Sequence, residues 1–422
     1  MQHTDSPSRM SRFRIPFALS ALALAAATCA AQEAPAESAA SFTVSGFGTL
    51  SMVHKADRQS DFVSSVLNAN GAGATRVNSI NPDSRLGVQF TATSGQWTAV
   101  LQLISEQQIT NTWRPIVEWG NIKYQATPDL ALRLGRIALP MGLAADYRKV
   151  GYAFPWVRTP VEVYGAIPIT NSDGLDLSYR WNRGDVKNVT QVFYGRNNQK
   201  VGENSRLQAR HLAGLSNTVT WGAATARVSY LTTELTVDLA HEGFVTYRMF
   251  GPAGAAIADQ WDADHKRADS LSLGLAYDPG TWFAQGEIGR ASTRSYLGDR
   301  HVVYLTGGAR LGEFTPYLAF AASHPRGATA TAGVPLTTLP PAVRPTAAYL
   351  TGELNTILRH IADQHTLSAG VRWDLRDNLD LKFQVDRIQP RGQSYGTFVN
   401  TQPGFVPGHA VTVATAALDF VF

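Results

Sequence analysis

The stretch TLSAGVRWDLRDNLDLKFQVD, residues 366–386, changes side-chain character at every second position. Leu367, Ala369, Val371 and Trp373 oppose Thr366, Ser368, Gly370 and Arg372. After a turn at residues 375–378, Leu381, Phe383 and Val385 oppose Asp380, Lys382, Gln384 and Asp386. Successive side chains of a β-strand point to opposite faces, so each run is a strand with one apolar and one charged face. A soluble sandwich does not usually carry such a polar ladder, whereas a wall between lipid and a wet lumen requires it.

The same alternation recurs along the chain. Phe42, Val44, Gly46, Gly48, Leu50 and Met52 oppose Thr43, Ser45, Thr49 and Ser51; Leu86, Val88, Phe90 and Ala92 oppose Arg85, Gln89 and Thr91. The last residues place Leu418, Phe420 and Phe422 on one face, Asp419 and Val421 on the other. Seven short connections rich in turn residues fall at 93–96, 127–129, 182–185, 222–225, 278–280, 311–313 and 375–378. Eight longer ones lie near 54–83, 107–114, 140–172, 197–208, 233–267, 291–300, 324–363 and 390–408. Their strict alternation joins sixteen strands and puts both chain ends on the short-turn side. The expected fold is therefore all-β, a transmembrane antiparallel β-barrel of sixteen strands with short periplasmic turns and long external loops. The runs 116–124, 188–196 and 212–221 break the alternation, as β-bulges would.

Composition agrees. Arg9, Arg12 and Arg14 precede an apolar run from Ile15 to Ala27, which ends in small residues through Ala31. This predicts an export signal over residues 1–31, with translation starting at Met1 or Met10, then a short linker over 32–41 and the barrel over 42–422. Cys29 is the only cysteine; Thr28 before it fits a lipid-attachment site poorly, so it reads as a discarded residue and the mature chain has no disulfides. Without Arg9, Arg12, Arg14 and Asp5, the 37 basic and 33 acidic residues become 34 and 32, a balance with no nucleic-acid signature. After the signal, no apolar run approaches the length of a membrane helix.

Several residues resemble Gram-negative porins: Ser84-Arg-Leu-Gly87, Leu134-Gly-Arg136, Phe314-Thr-Pro-Tyr-Leu318 and the terminal Phe422. The resemblance implies a sixteen-stranded outer-membrane pore for passive diffusion of small hydrophilic solutes and ions, without cofactor, in which Phe420 and Phe422 signal to the barrel assembly machinery. It also implies a third external loop, here residues 140–172, folded inward to narrow the channel. Porins of this size resemble homotrimers, and the small residues on the outward face of the first strand would let a neighbour approach.

On this reading the loop acids Asp146 and Glu162 face the wall arginines Arg85 and Arg136, with Gln102, Glu106, Arg133 and Arg180 as further pore-lining candidates. Arg133 and Arg136 are three apart, so both reach water only through a bulge at Gly135. The loop bases Arg148, Lys149 and Arg158 outnumber its acids, which predicts a weak preference for anions. Its Tyr147, Tyr152, Phe154, Trp156 and Tyr164 supply anchors. The acidic Pro-Glu-Phe-Gly-Gly type of loop signature of trimeric general porins is absent. A substrate-selective porin for anions, organic acids or sugars stays open. An outer-membrane enzyme, with His211 or His301 as base, is the rival from another class. Residues 350–361 have helical spacing and 237–250 a weaker one; Asp259, Asp262, Asp264 and His265 read as a solvated loop rather than a divalent-ion site.

Overall fold

The computed structural model describes residues 40–422; the expected signal, with both candidate start sites and Cys29, lies outside the described residues. Sixteen long strands form one antiparallel sheet closed on itself. They are β1 Ser41–His54, β2 Arg85–Ser94, β3 Trp97–Glu106, β4 Ile116–Gln125, β5 Leu130–Ala138, β6 Asn171–Arg183, β7 Val186–Lys200 and β8 Arg206–Trp221. The circuit continues with β9 Ala224–Val237, β10 Lys266–Tyr277, β11 Trp282–Ser292, β12 Arg300–Ala309, β13 Phe314–Pro325, β14 Gln364–Arg376, β15 Leu379–Pro390 and β16 Val411–Val421. Strand β1 closes it, pairing from Ser41↔Thr93 to Thr49↔Arg85 with β2 and from Phe47↔Val421 to His54↔Ala414 with β16. A two-residue strand, Asn78–Ser79, joins the same sheet beside β1. All seven short turns fall where the turn residues place them, because each hairpin reversal needs residues that tolerate tight backbone.

Each of the three irregular runs has a register shift in it or at its edge. The β3–β4 register shifts between Gln102 and Leu103, whose partners Trp119 and Val117 leave Glu118 as an extra residue. Further shifts fall between Gly195 and Asn197 in β7 and between Arg210 and Ala213 in β8. By contrast, β5 runs unbroken through Gly135 against both neighbours. No bulge forms there, so Arg133 and Arg136 lie on opposite faces.

Apolar side chains cover the outside, with Leu134 and Leu318 67% and 64% exposed, as lipid contact requires. Aromatic pairs ring the short-turn end: Trp97 with Tyr124, Tyr277 with Trp282, and Phe314 with Trp373. Gly46 and Gly48, expected to admit a neighbouring subunit, are instead covered by this chain's own Phe422 and Phe420 rings; an added Cβ would meet those rings at 2.2 and 2.3 Å. At the other end, helices α1 His241–Arg248, α2 Gly251–Trp261 and α3 Arg344–Leu358 pack through Phe244, Tyr247, Trp261, Leu354 and Leu358 onto Leu207, Ala209, Leu235 and Val237. The helical spacing near 350–361 is thus a rim helix that begins six residues earlier, and the weaker signal at 237–250 is the helix α1 with a 3-10 turn, Asp238–Ala240, before it.

Candidate permeation site inside the barrel

Residues 139–170, between β5 and β6, lie against the inner wall. Phe154, Trp156, Val163 and Tyr164 pack on the inward-facing Phe283, Tyr304 and Tyr317 of β11, β12 and β13. Backbone enclosed in a barrel must find partners, and here the wall supplies them. Lys382 Nζ donates to Gly151 O at 2.7 Å, while Arg372 Nη1 donates to Tyr152 O and Phe154 O at 2.6 and 3.1 Å. Gln384 Oε1 accepts from Val157 N at 3.0 Å, and Glu287 Oε2 from Leu143 N at 2.9 Å. The Tyr152 hydroxyl donates to Asp377 O in the β14–β15 turn at 2.7 Å, so the segment reaches the short-turn end. Gly151 is required by close approach: a Cβ there would lie 2.2 Å from Asp419 Oδ1.

The ionic contacts of this segment have the opposite polarity to the sequence expectation. Two of its three bases meet carboxylates: Lys149 Nζ lies 2.6 Å from Glu106 and 3.0 Å from the bulged Glu118, and Arg158 lies 2.7 Å from Asp83 and 2.6 Å from Asp386. Arg158 is buried, grips Asp83 with two nitrogens and donates to Thr415 Oγ1. Of its acids, Glu162 accepts from Gln364 Nε2 at 2.6 Å and from Thr366 Oγ1, with no arginine opposite. Burial pushes the Glu162 carboxyl above the ordinary range, against the pull of those hydrogen bonds. Asp146 is exposed and is an electrostatic neighbour of Arg133.

The other expected residues divide by strand parity. Arg85, Gln102, Glu106, Arg133 and Arg180 alternate with outward apolar side chains and so face inward. Arg85 Nε lies 3.9 Å from Glu106, Gln102 donates to Gln89 Oε1 at 3.0 Å, and Arg133 pairs with Asp176. Arg136 shares the outward face of Leu132 and Leu134 and pairs with Asp173 at 2.7 Å, not with a loop acid. Residues not singled out at the site include Asp83, Glu118, Glu287, Arg372, Asp419 and the lysine of β15. Glu287 and the lumen aromatics Phe283, Tyr304 and Tyr317 had one signal available, a large ring or acid on the polar face of an alternating strand. His211 and His301 both face outward, His211 hydrogen-bonding Tyr194 at 2.9 Å. Asp259, Asp262 and His265 pair with Arg248, His241 and Glu234; among the described residues no group of three metal-binding side chains is gathered.

The segment's bonds run to β3, β4 and β11–β16. The inner wall from β5 to β9 bears Arg133, Asp176, Arg180, Lys187, Gln191 and Arg227, with Arg133 and Gln191 both on Asp176. This wall is therefore net basic, and the segment touches its external half through the apolar Leu139, Met141 and Ile169, which pack on Phe193, Leu212 and Leu231.

A family model described as Gram-negative porin matches residues 18–394. No curated protein matches the chain. Among solved structures, the anion-selective porin from Comamonas acidovorans is 13% identical, with a TM-score of 0.50 over 91% of this chain and 100% of that one. Salmonella typhi OmpF, in complex with daunomycin, is 12% identical, with a TM-score of 0.54 over 90% and 97%. A closed sixteen-strand barrel with an apolar exterior, together with a family match over most of its length, makes this chain a member of the Gram-negative porin family, an outer-membrane channel protein.

Proposed function

We propose that the chain is a passive, water-filled pore for small hydrophilic solutes and ions, narrowed by residues 139–170 and weakly selective for anions. The pattern of ion pairs carries this reading. Glu106, Glu118, Asp83 and Asp386 are taken up by Lys149 and Arg158, while Arg180, Lys187 and Arg227 on the wall from β6 to β9 have no carboxylate partner among the described residues. Fixed charge of one sign along a narrow wet path raises the local concentration of the opposite ion. The Comamonas porin is named anion-selective, in line with this reading. Reversal potentials in a salt gradient test it. Arg180→Ser with Arg227→Ser should move selectivity toward cations, whereas Arg136→Ser, on the outer face, should leave it unchanged; a double variant with the parent's potential would sink the reading.

Self-association belongs to the same proposal. At the long-loop end the outward faces of β16, β1, β2, β3 and β4 carry no Arg, Lys, Asp or Glu, unlike the rest of the rim, and a charge-free sector suits burial against another copy in a homotrimer. Phe420 and Phe422 we assign to recognition by the assembly machinery.

A further inference from the structure

Outward-facing charge at the external end of the barrel is arranged in cross-strand rows. One row is Arg136 on β5, Asp173 on β6 and Arg196 on β7, each directly opposite the next. A second is Arg210 on β8, Glu234 on β9 and Arg267 on β10. In both, a carboxylate stands between two arginines, as the sheet demands, because like charges directly opposite each other destabilise a strand pair. The third row has no carboxylate between its bases. Arg290 on β11 is opposite His301 on β12, which is opposite His324 on β13. Only the far end meets an acid, Asp363, 3.2 Å from His324 Nδ1. Arg290 and His301 are exposed and have no side-chain partner among the described residues.

Two features of place say what would complete the row. It lies on the lipid face: two residues nearer the middle, Ile288 is 56% exposed and sits opposite Val303, and Val303 sits opposite Ala322. It also lies at headgroup height. From Trp282 in the aromatic girdle to Arg290 the strand runs about 26 Å at ~3.3 Å per residue, which a tilt of about 40° turns into about 20 Å of height, and the long arginine stem reaches the edge of the roughly 25 Å apolar band of such barrels. Adjacent strands lie about 4.8 Å apart, so the three bases span about 10 Å, enough for the oxygens of one phosphate group to bridge neighbouring donors.

We propose that Arg290, His301 and His324 hold the phosphate of an outer-leaflet lipid, which takes the place that Asp173 and Glu234 fill in the other two rows. Arg290 grips phosphate oxygens through its planar fork of donors, and each imidazole adds a ring N–H as a further donor. The acyl chains then lie along the apolar face formed by Ile288, Val303 and Leu305. This is independent of solute selectivity inside the barrel and needs only the outer-membrane placement.

Native mass spectrometry of the full purified barrel, with lipid A carrying its phosphomonoesters and with the same lipid stripped of phosphate, tests the site. The parent should retain the phosphorylated lipid about tenfold better, the scale of one or two charge-assisted hydrogen bonds. Arg290→Gln with His301→Gln and His324→Gln should erase that preference, while Arg136→Gln with Arg196→Gln, whose row already holds a carboxylate, should keep it. If the triple variant does not fold, Arg290→Ala alone, an exposed and unpartnered side chain, should lower the preference several-fold. A parent without preference, or a folded triple or Arg290→Ala variant with the parent's preference, overturns the proposal.

Discussion

Replacing Arg158 by leucine should unseat the inner segment. Arg158 lies between Asp83, which its Nε and Nη2 grip, and Asp386, reached by Nη1; the side chains are 5%, 2% and 4% exposed. Leucine leaves two carboxylates buried without their cation. Breaking a buried pair by removing one partner costs about 3–5 kcal/mol, largely the penalty of the stranded charge. At about 1.4 kcal/mol per factor of ten, the opening equilibrium of residues 151–166 should rise by more than about a hundredfold. Hydrogen exchange at Val157 N, which donates to Gln384, reads that equilibrium directly, and planar-bilayer recordings should show frequent excursions to higher conductance. The cause is separable from simple loss of contact. Adding Asp83→Asn and Asp386→Asn removes the stranded charges, and a mutant cycle should then recover more than half of the loss. Exchange within about threefold of the parent in the single variant would refute the reasoning, because the ion cluster would then not be what holds the segment.

Four further outcomes are expected. Deleting Phe422 removes the backbone pair Gly46 N→Phe422 O and Phe422 N→Gly46 O together with the ring over Gly46, so assembled barrel should fall in outer-membrane fractions; normal abundance would refute this. Gly46→Val should lower the temperature of heat-induced mobility change, since its Cβ would overlap that ring at a cost of about 1–3 kcal/mol; an unchanged temperature would refute it. The raised Glu162 carboxyl means that the seated segment binds a proton more tightly than the free one. Seating therefore strengthens as pH falls through the raised value, the gain being complete below the ordinary carboxylate value of about 4.3. Glu162→Gln should flatten that dependence in a pH series of channel recordings, and identical pH profiles would count against it. Finally, cross-linking in mild detergent should yield a trimer; monomer alone would remove the proposed role of the charge-free sector.

Alternation and turn chemistry are local, and these made the barrel legible: strand number, closure side and even the three irregular runs follow from residues within a few positions of each other. What covers a face is not local. Asp380, Lys382, Gln384 and Asp386 read correctly as the inward face of β15, and an inward charged face reads as wet. Yet Lys382, Asp380 and Asp419 are 0% exposed, because residues 151–158 lie on them, Lys382 donating to Gly151 O. The same blindness inverted the charges at the site. An excess of bases in the segment was visible, but not that Lys149 and Arg158 are bound to wall acids more than 30 residues away in sequence. Arg136 shows the converse: parity with Leu132 and Leu134 marks it as outward, and only a short motif argued otherwise. Where a motif and the strand period disagree, the period carries the physical constraint, since one residue's slip would turn every apolar side chain of β5 into water. Among the described residues, Arg180, Lys187 and Arg227 inside and Arg290 outside face the lumen or the lipid without a carboxylate of this chain beside them, and it is there that the proposed solute and lipid contacts fall.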